Sequence, residues 1–175
     1  MPSPHQQPRR PAVIIGAALA AVVVALLAAV GVVRRAPDDP QRWHQDPVTA
    51  DVGDRPNWFR LTPAQTPVDH QRDQEGISPV VDVPVERLAA VFDDVAMSDE
   101  RVQRLAGSPA EGFVTYVQRS AVVGFPDYVS VRFVEGEGGT STLVVYSRAR
   151  YGYGDGGVNR DRVRRWVEQT TQLLR

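Results

Sequence analysis

The chain has 175 residues, with 20 basic and 21 acidic side chains, a net charge of -1 and no cysteine, and every basic residue is an arginine. The lack of cysteine excludes a disulfide framework, a thiolate zinc site and a catalytic thiol. The near-zero charge argues against a chain built mainly to hold nucleic acid, and the length suits one ordinary domain with attachments.

Residues 12–33 form a run of 22 without a charged or amide side chain. At about 1.5 Å per residue such a helix spans roughly 33 Å, against a hydrocarbon core of about 30 Å. Arg9 and Arg10 flank one end and Arg34 and Arg35 the other, where they can snorkel to headgroups. The run is longer than the apolar region of a signal peptide, and no small-x-small cleavage pattern precedes Arg34. An uncleaved transmembrane helix over 12–33 is therefore expected, with a polar tail over 1–11 and membrane lipids as partner. The flanking arginines nearly tie, so charge alone does not set the orientation. The short tail, kept inside by an uncleaved export signal, places the rest of the chain on the outer, periplasmic side of a bacterial cytoplasmic membrane.

Residues 37–79 hold seven of the 14 prolines, and polar runs such as 69–75 bury little surface. A Pro-rich extended linker is expected over 34–76. Trp43, Trp58 and Phe59 are its exceptions, able to pin it to the domain or to a lipid interface.

From Ile77 the pattern becomes regular, and an α+β domain is expected over 77–175. Residues 79–83 read as a short strand. Val85, Leu88, Ala89, Phe92, Val95 and Ala96 then keep helical spacing. Strands are expected over 101–106, 113–123, 128–135 and 140–150, with a glycine hairpin at 136–139. Alternation sets Val129, Val131 and Phe133 against Ser130 and Arg132, and Leu143, Val145 and Ala149 against Thr142, Tyr146, Arg148 and Arg150. A last helix is expected from Asn159 as N-cap, with Val163, Trp166, Val167, Thr170 and Leu174 inward. The fold class predicted is an antiparallel sheet of about four to five strands with two helices covering its apolar face.

The loop Gly152-Tyr153-Gly154-Asp155-Gly156-Gly157 matches G-x-G-x-x-G after a strand. The chain ends 18 residues later, without the second parallel strand or the ribose-binding acid of a dinucleotide site. A loop needing positive φ is expected instead, with no cofactor. The histidines, His5, His44 and His70, lie outside the regular domain, so it carries no Ser-His-Asp site. His44 and Asp46 are too few for a metal, and no metal site is expected. Asp127 and Asp155 are the candidate carboxylates for an alternative reading as a hydrolase or lipid-modifying enzyme, though both are also ordinary turn residues.

The arginines carry the main expectation. Arg148 and Arg150, two apart, point to one side of their strand, and Arg132 and Arg119 can join them there. Arg160 opens the last helix. Arg148, Arg150 and Arg160, with Gly152, Gly154, Asp155 and Asn159, form a candidate site for an anionic small molecule or lipid headgroup. The competing reading pairs these arginines with Asp155 or Asp161.

Four stretches, Thr115-Tyr116-Val117-Gln118-Arg119-Ser120, Gly124-Phe125-Pro126-Asp127-Tyr128, Tyr146-Ser147-Arg148-Ala149-Arg150-Tyr151-Gly152 and Asp155-Gly156-Gly157-Val158-Asn159-Arg160, resemble the bacterial domain-of-unknown-function family 1499. Arg42-Trp43-His44-Gln45-Asp46-Pro47 is similar to the start of its membrane-anchored members, so the resemblance covers most of residues 42–170. Gly156 departs from the larger aliphatic, often Leu, expected there, which implies a looser loop. The resemblance implies a bacterial envelope protein and brings no substrate or catalytic residue with it. The function expected is a membrane-anchored binding module for an anionic or lipid-like ligand or an envelope partner, rather than an enzyme.

Overall fold

The computed structural model describes residues 10–175, and the chain divides between Ala36 and Pro37 into two compact units. Residues 1–9 of the expected tail lie outside the described residues. The first unit contains α1 (Arg10–Arg35). Its stretch Ile14–Arg35 has a mean hydropathy of 2.7 and none of it is buried. A helix apolar on every face leaves no side for water, and this one is long and apolar enough to cross a membrane.

The second unit holds α2 (Pro40–Trp43), β1 (Trp58–Thr62), β2 (Glu75–Ile77), α3 (Val85–Ser98), β3 (Val102–Ser108), β4 (Phe113–Arg119), β5 (Pro126–Glu135), β6 (Ser141–Ala149) and α4 (Val158–Leu173). The strands make one six-stranded sheet in the order β2-β1-β6-β5-β4-β3. Pairing is antiparallel except between β1 and β2, which run parallel. The sheet is thus mixed and six-stranded, which corrects the expected antiparallel sheet of four to five.

The added strands come from residues 34–76, expected as a linker. The stretch is proline-rich, but β1 carries its own alternation. Phe59 and Leu61 enter the main core, while Trp58 packs edge-on against Tyr146 of β6 on the opposite face. β2 sits beside it, and Arg60 Nη2 meets Glu75 Oε1 at 2.6 Å. Residues 79–83, expected as a strand, make only the bridge Val81↔Ser141, because Pro79 and Pro84 offer no N–H to a ladder.

α3 and α4 cover one sheet face, as the periodicity predicts. Their core centres on Phe92, Tyr116 and Trp166, whose rings lie 5.9–6.3 Å apart. Asp93 is buried among them and accepts from Tyr116 Oη at 2.9 Å and from the Arg104 guanidinium. β4 stops at Arg119, short of the expected 123, because Ser120 Oγ takes the N–H groups of Gly124 and Phe125 and turns the chain. A register shift between Arg104 and Ala106 in β3 is a bulge, beside which Leu105 packs against Trp43, Val117 and Tyr128.

α4 starts two residues earlier than expected, with Gly157 rather than Asn159 as its N-cap. Gly157 has φ +86°, and a Cβ there would stand 3.1 Å from the Arg160 guanidinium. Asn159 lies inside the first turn and is fully buried.

Candidate functional site

The face of the sheet opposite the helices carries arginines and aromatics, and residues 37–46 lie across it. Asp39 caps the single turn of α2 by accepting from Gln41 N–H, with Pro40 at the first position. That turn lays the Trp43 indole on the Tyr128 ring, with centroids 4.1 Å apart and planes 9° from parallel. His44 stacks on Phe113 at 3.9 Å, and its Nδ1 meets Thr115 Oγ1 at 2.8 Å.

Four arginines, three in strands and Arg150 just past the end of β6, hold this strap. Arg119 Nη2 donates to Asp38 Oδ2 and Arg132 Nη2 to Asp46 Oδ2, each at 2.6 Å. Arg148 Nη2 donates to the Trp43 carbonyl at 2.8 Å, and Arg150 Nη1 to the Pro37 carbonyl at 2.9 Å. Asp46 would be raised by burial, but the Arg132 and Val48 hydrogen bonds hold it below its ordinary value.

Arg148 and Arg150 differ from the other two. Among the described residues neither forms an ion pair. Both flank one indole, with guanidinium carbons 5.5 and 5.7 Å from the Trp43 ring centre, and Arg148 also lies 4.7 Å over Tyr146. Arg148 is 7 % exposed, and its Nη1 is buried without a partner, as is Trp43 Nε1. Burial pushes the Arg148 guanidinium down to about 10, with Tyr146 and Tyr128 opposing the shift. It therefore remains a cation at neutral pH. Burial also pushes the Tyr128 hydroxyl up to about 12, helped by its hydrogen bond to Asp38.

The glycine loop is organised around its own carboxylate. Asp155 Oδ1 accepts from Gly157 N–H at 3.0 Å, and Oδ2 accepts from Asn159 N–H at 2.9 Å and Asn159 Nδ2 at 2.7 Å. Asn159 Oδ1 accepts in turn from Ser147 Oγ at 2.5 Å and Arg162 Nη1 at 2.8 Å. Arg162 also holds Gln118 and Asp127, the latter at 2.7 Å. This polar seam joins α4 to the helix-covered side of the sheet.

Asp127 and Asp155 line one cavity of about 300 Å³ with Ser120, Phe125 and Tyr151. Burial pushes the Asp127 carboxyl up against the pull of Arg162, and the charge of Asp155 adds to the push.

The predicted site residues therefore fall into two groups. Arg148 and Arg150 share the strap-covered face. Gly152, Gly154 and Asp155 belong to the loop and Asn159 to the first turn of α4, and Asp155 already takes the N–H groups of Gly157 and Asn159. Arg160 is apart from Arg148 and Arg150. It sits on α4, 3.6 Å from Asp161, beside a second cavity of about 260 Å³ lined also by Trp58, Gly154 and Gly156. His44 and Asp46 each have another partner, and among the described residues no group of three or more side chains could hold a metal ion.

Two participants escape the sequence reading. Arg162 has a readable signal: Asn159, Arg162, Val163 and Trp166 fall at i, i+3, i+4 and i+7, so polar residues occupy the inner stripe. The role of Asp38 has none, because its partners lie 81 and 90 positions away.

A family model described as "Protein of unknown function (DUF1499)" matches residues 34–170, most of the chain. No curated protein matches.

Proposed function

The chain belongs to that family of unknown function, so its role is read from the site, and we propose that it is a single-pass membrane-anchored binding module that takes an anionic group, of the kind a phospholipid headgroup carries, at Arg148 and Arg150. The observation that carries this is the Arg148 guanidinium, buried with one nitrogen unpartnered and, among the described residues, no carboxylate in ion-pair range. Burying a charge in that state costs several kcal/mol, on the order of what a bound anion would offset. Asp38 and Asp46 neutralise Arg119 and Arg132, so of the four arginines that hold the strap Arg148 and Arg150 are the two without an ion pair among the described residues. Trp43 supplies a flat wall, and Arg150, less buried, a second guanidinium nearer the rim. α1 supports the anchor through its length and apolarity. The setting is the bacterial cytoplasmic membrane, with the domain on its outer side.

Vesicle binding by residues 37–175 tests this. The fragment is expected to bind phosphatidylglycerol vesicles and not phosphatidylcholine ones. Arg148→Met should weaken that binding at least about tenfold, the effect of losing one charge-assisted hydrogen bond, with little change in melting temperature. Arg87→Met, on the exposed side of α3, should leave it unchanged. An equal loss in both variants would reduce the effect to general charge attraction. A lower melting temperature with binding intact would make Arg148 a clamp for the strap alone.

The cavity shared by Asp127 and Asp155 favours a second reading, hydrolase-type chemistry. Against it, Arg162 holds Asp127, and Asp155 is engaged by one donor of Gly157 and two of Asn159. On this reading Asp127→Asn would abolish ester hydrolysis and spare vesicle binding.

A further inference from the structure

Val122, Phe125, Tyr151, Tyr153 and Val158 are 80, 41, 37, 75 and 52 % exposed. Among the described residues they make up half of the ten exposed large hydrophobic side chains outside α1. All five sit on the β4–β5 turn, the β6–α4 loop or the start of α4. The pairings Arg119↔Pro126 and Asp127↔Ala149 put both connections at one end of the sheet, and the Phe125 and Tyr151 rings meet at 5.6 Å. Arg150 lies 5.3 Å over Tyr151. A cluster of this kind, outside the core and rimmed by cations, marks an interaction surface.

The same end receives the chain from α1. Arg150 holds the Pro37 carbonyl, and Asp38 accepts from Arg119 at 2.6 Å and Tyr128 at 2.7 Å. Pro37 is the second residue after Arg35, where α1 ends, and two residues reach at most about 7 Å. A helix crossing a bilayer up to Arg35 delivers Pro37 to the headgroup layer.

We propose that this end of the domain is a second membrane contact, with Val122, Phe125, Tyr151 and Tyr153 seated in the lipid–water interface of the bilayer that α1 enters. Tyrosine suits that depth, since its ring prefers the apolar boundary and its hydroxyl the wet side. Arg150 beside Tyr151 meets lipid phosphates there. The contact holds the Arg148–Arg150 side of the domain near headgroups. It rests on the membrane reading of α1.

The native chain has no cysteine, so single cysteines can carry an environment-sensitive fluorophore without background. The full chain is placed in nanodiscs of phosphatidylglycerol and phosphatidylcholine, some lipids bearing a nitroxide at a shallow or a deep acyl position. Labels are placed at Val122→Cys, Tyr153→Cys, Val22→Cys in α1, and Glu137→Cys in the hairpin at the opposite end of the sheet. Deep nitroxides should quench position 22, and shallow ones positions 122 and 153 several-fold more than 137. Quenching at 22 with none at 122 and 153 would keep the anchor and overturn the interfacial contact. No quenching at 22 would overturn the anchor itself. Shielding of 153 from aqueous iodide without lipid quenching would put a protein surface on these loops and also overturn the proposal.

Discussion

The two faces of the sheet are closed by different physics. Under α3 and α4 the closure is apolar and non-directional, with Phe92, Trp166, Val129, Val131 and Val145 essentially inaccessible. Truncating an aromatic of that kind costs about 3–5 kcal/mol. On the other face a polar, proline-containing strap is held by four arginines through single bonds, and ion pairs as exposed as Arg119–Asp38 and Arg132–Asp46 contribute about 1 kcal/mol or less each. The first face supplies stability that no ligand can exchange for. The second consists of contacts a ligand can compete with, and it retains cationic groups the protein does not neutralise. That difference is why the candidate site is assigned to the strap-covered face.

The largest way to break this comparison is truncation. The sequence pattern alone makes a fragment from Ile77 self-sufficient. The structure removes Phe59 and Leu61 from the core of such a fragment and bares the edge of β6. At about 2–5 kcal/mol for each lost core side chain, the deficit approaches the whole of a domain's usual stability. Residues 77–175 should melt without cooperativity and 37–175 with it, as calorimetry would register.

A smaller effect is expected at the polar seam. Arg162→Met leaves the Asp127 carboxylate without its guanidinium and should cost about 3 kcal/mol at neutral pH, measured by urea unfolding. Asp127 is raised in the folded state. A carboxyl of that kind contributes its stability in full below its unfolded value, near 4, and loses it as pH climbs through the higher folded value. The deficit of the variant should therefore be smallest in acid.

The smallest effect belongs to the strap. Asp46 is lowered in the folded state, so its contribution is complete above its ordinary value of about 4 and is lost as pH falls through the folded one. Asp46→Asn should lower stability by about 1 kcal/mol or less at neutral pH and converge with the wild type in acid. A constant gap between the two melting curves across pH would show that the Arg132 pair is not what holds the strap.

How much of this was legible in the sequence follows from the range of each signal. α3, β5, β6 and the inner stripe of α4 are periodic over eight or more residues, and periodicity is a local property. β1 alternates too, but over five residues inside a proline-rich stretch, and β2 has only three residues, too few to show a period. Counting in twos along β6 and one residue past its end puts Arg148 and Arg150 on the same face. Their partners were not readable, because Trp43 and Pro37 lie 105 and 113 positions away. Asp155 was visible as a turn residue, yet nothing local showed that its carboxylate would fill the loop it sits in.

The most direct test follows the guanidinium and indole N–H resonances of 37–175, labelled with ¹⁵N, during titration with glycerol phosphate. An anion on the strap-covered face should shift Arg148, Arg150 and the Trp43 indole, and leave Arg162 and the amides of Gly156, Gly157 and Asn159 in place. Shifts at Arg160 and those loop amides with Arg148 unmoved would put the anion on the glycine loop and contradict the assignment.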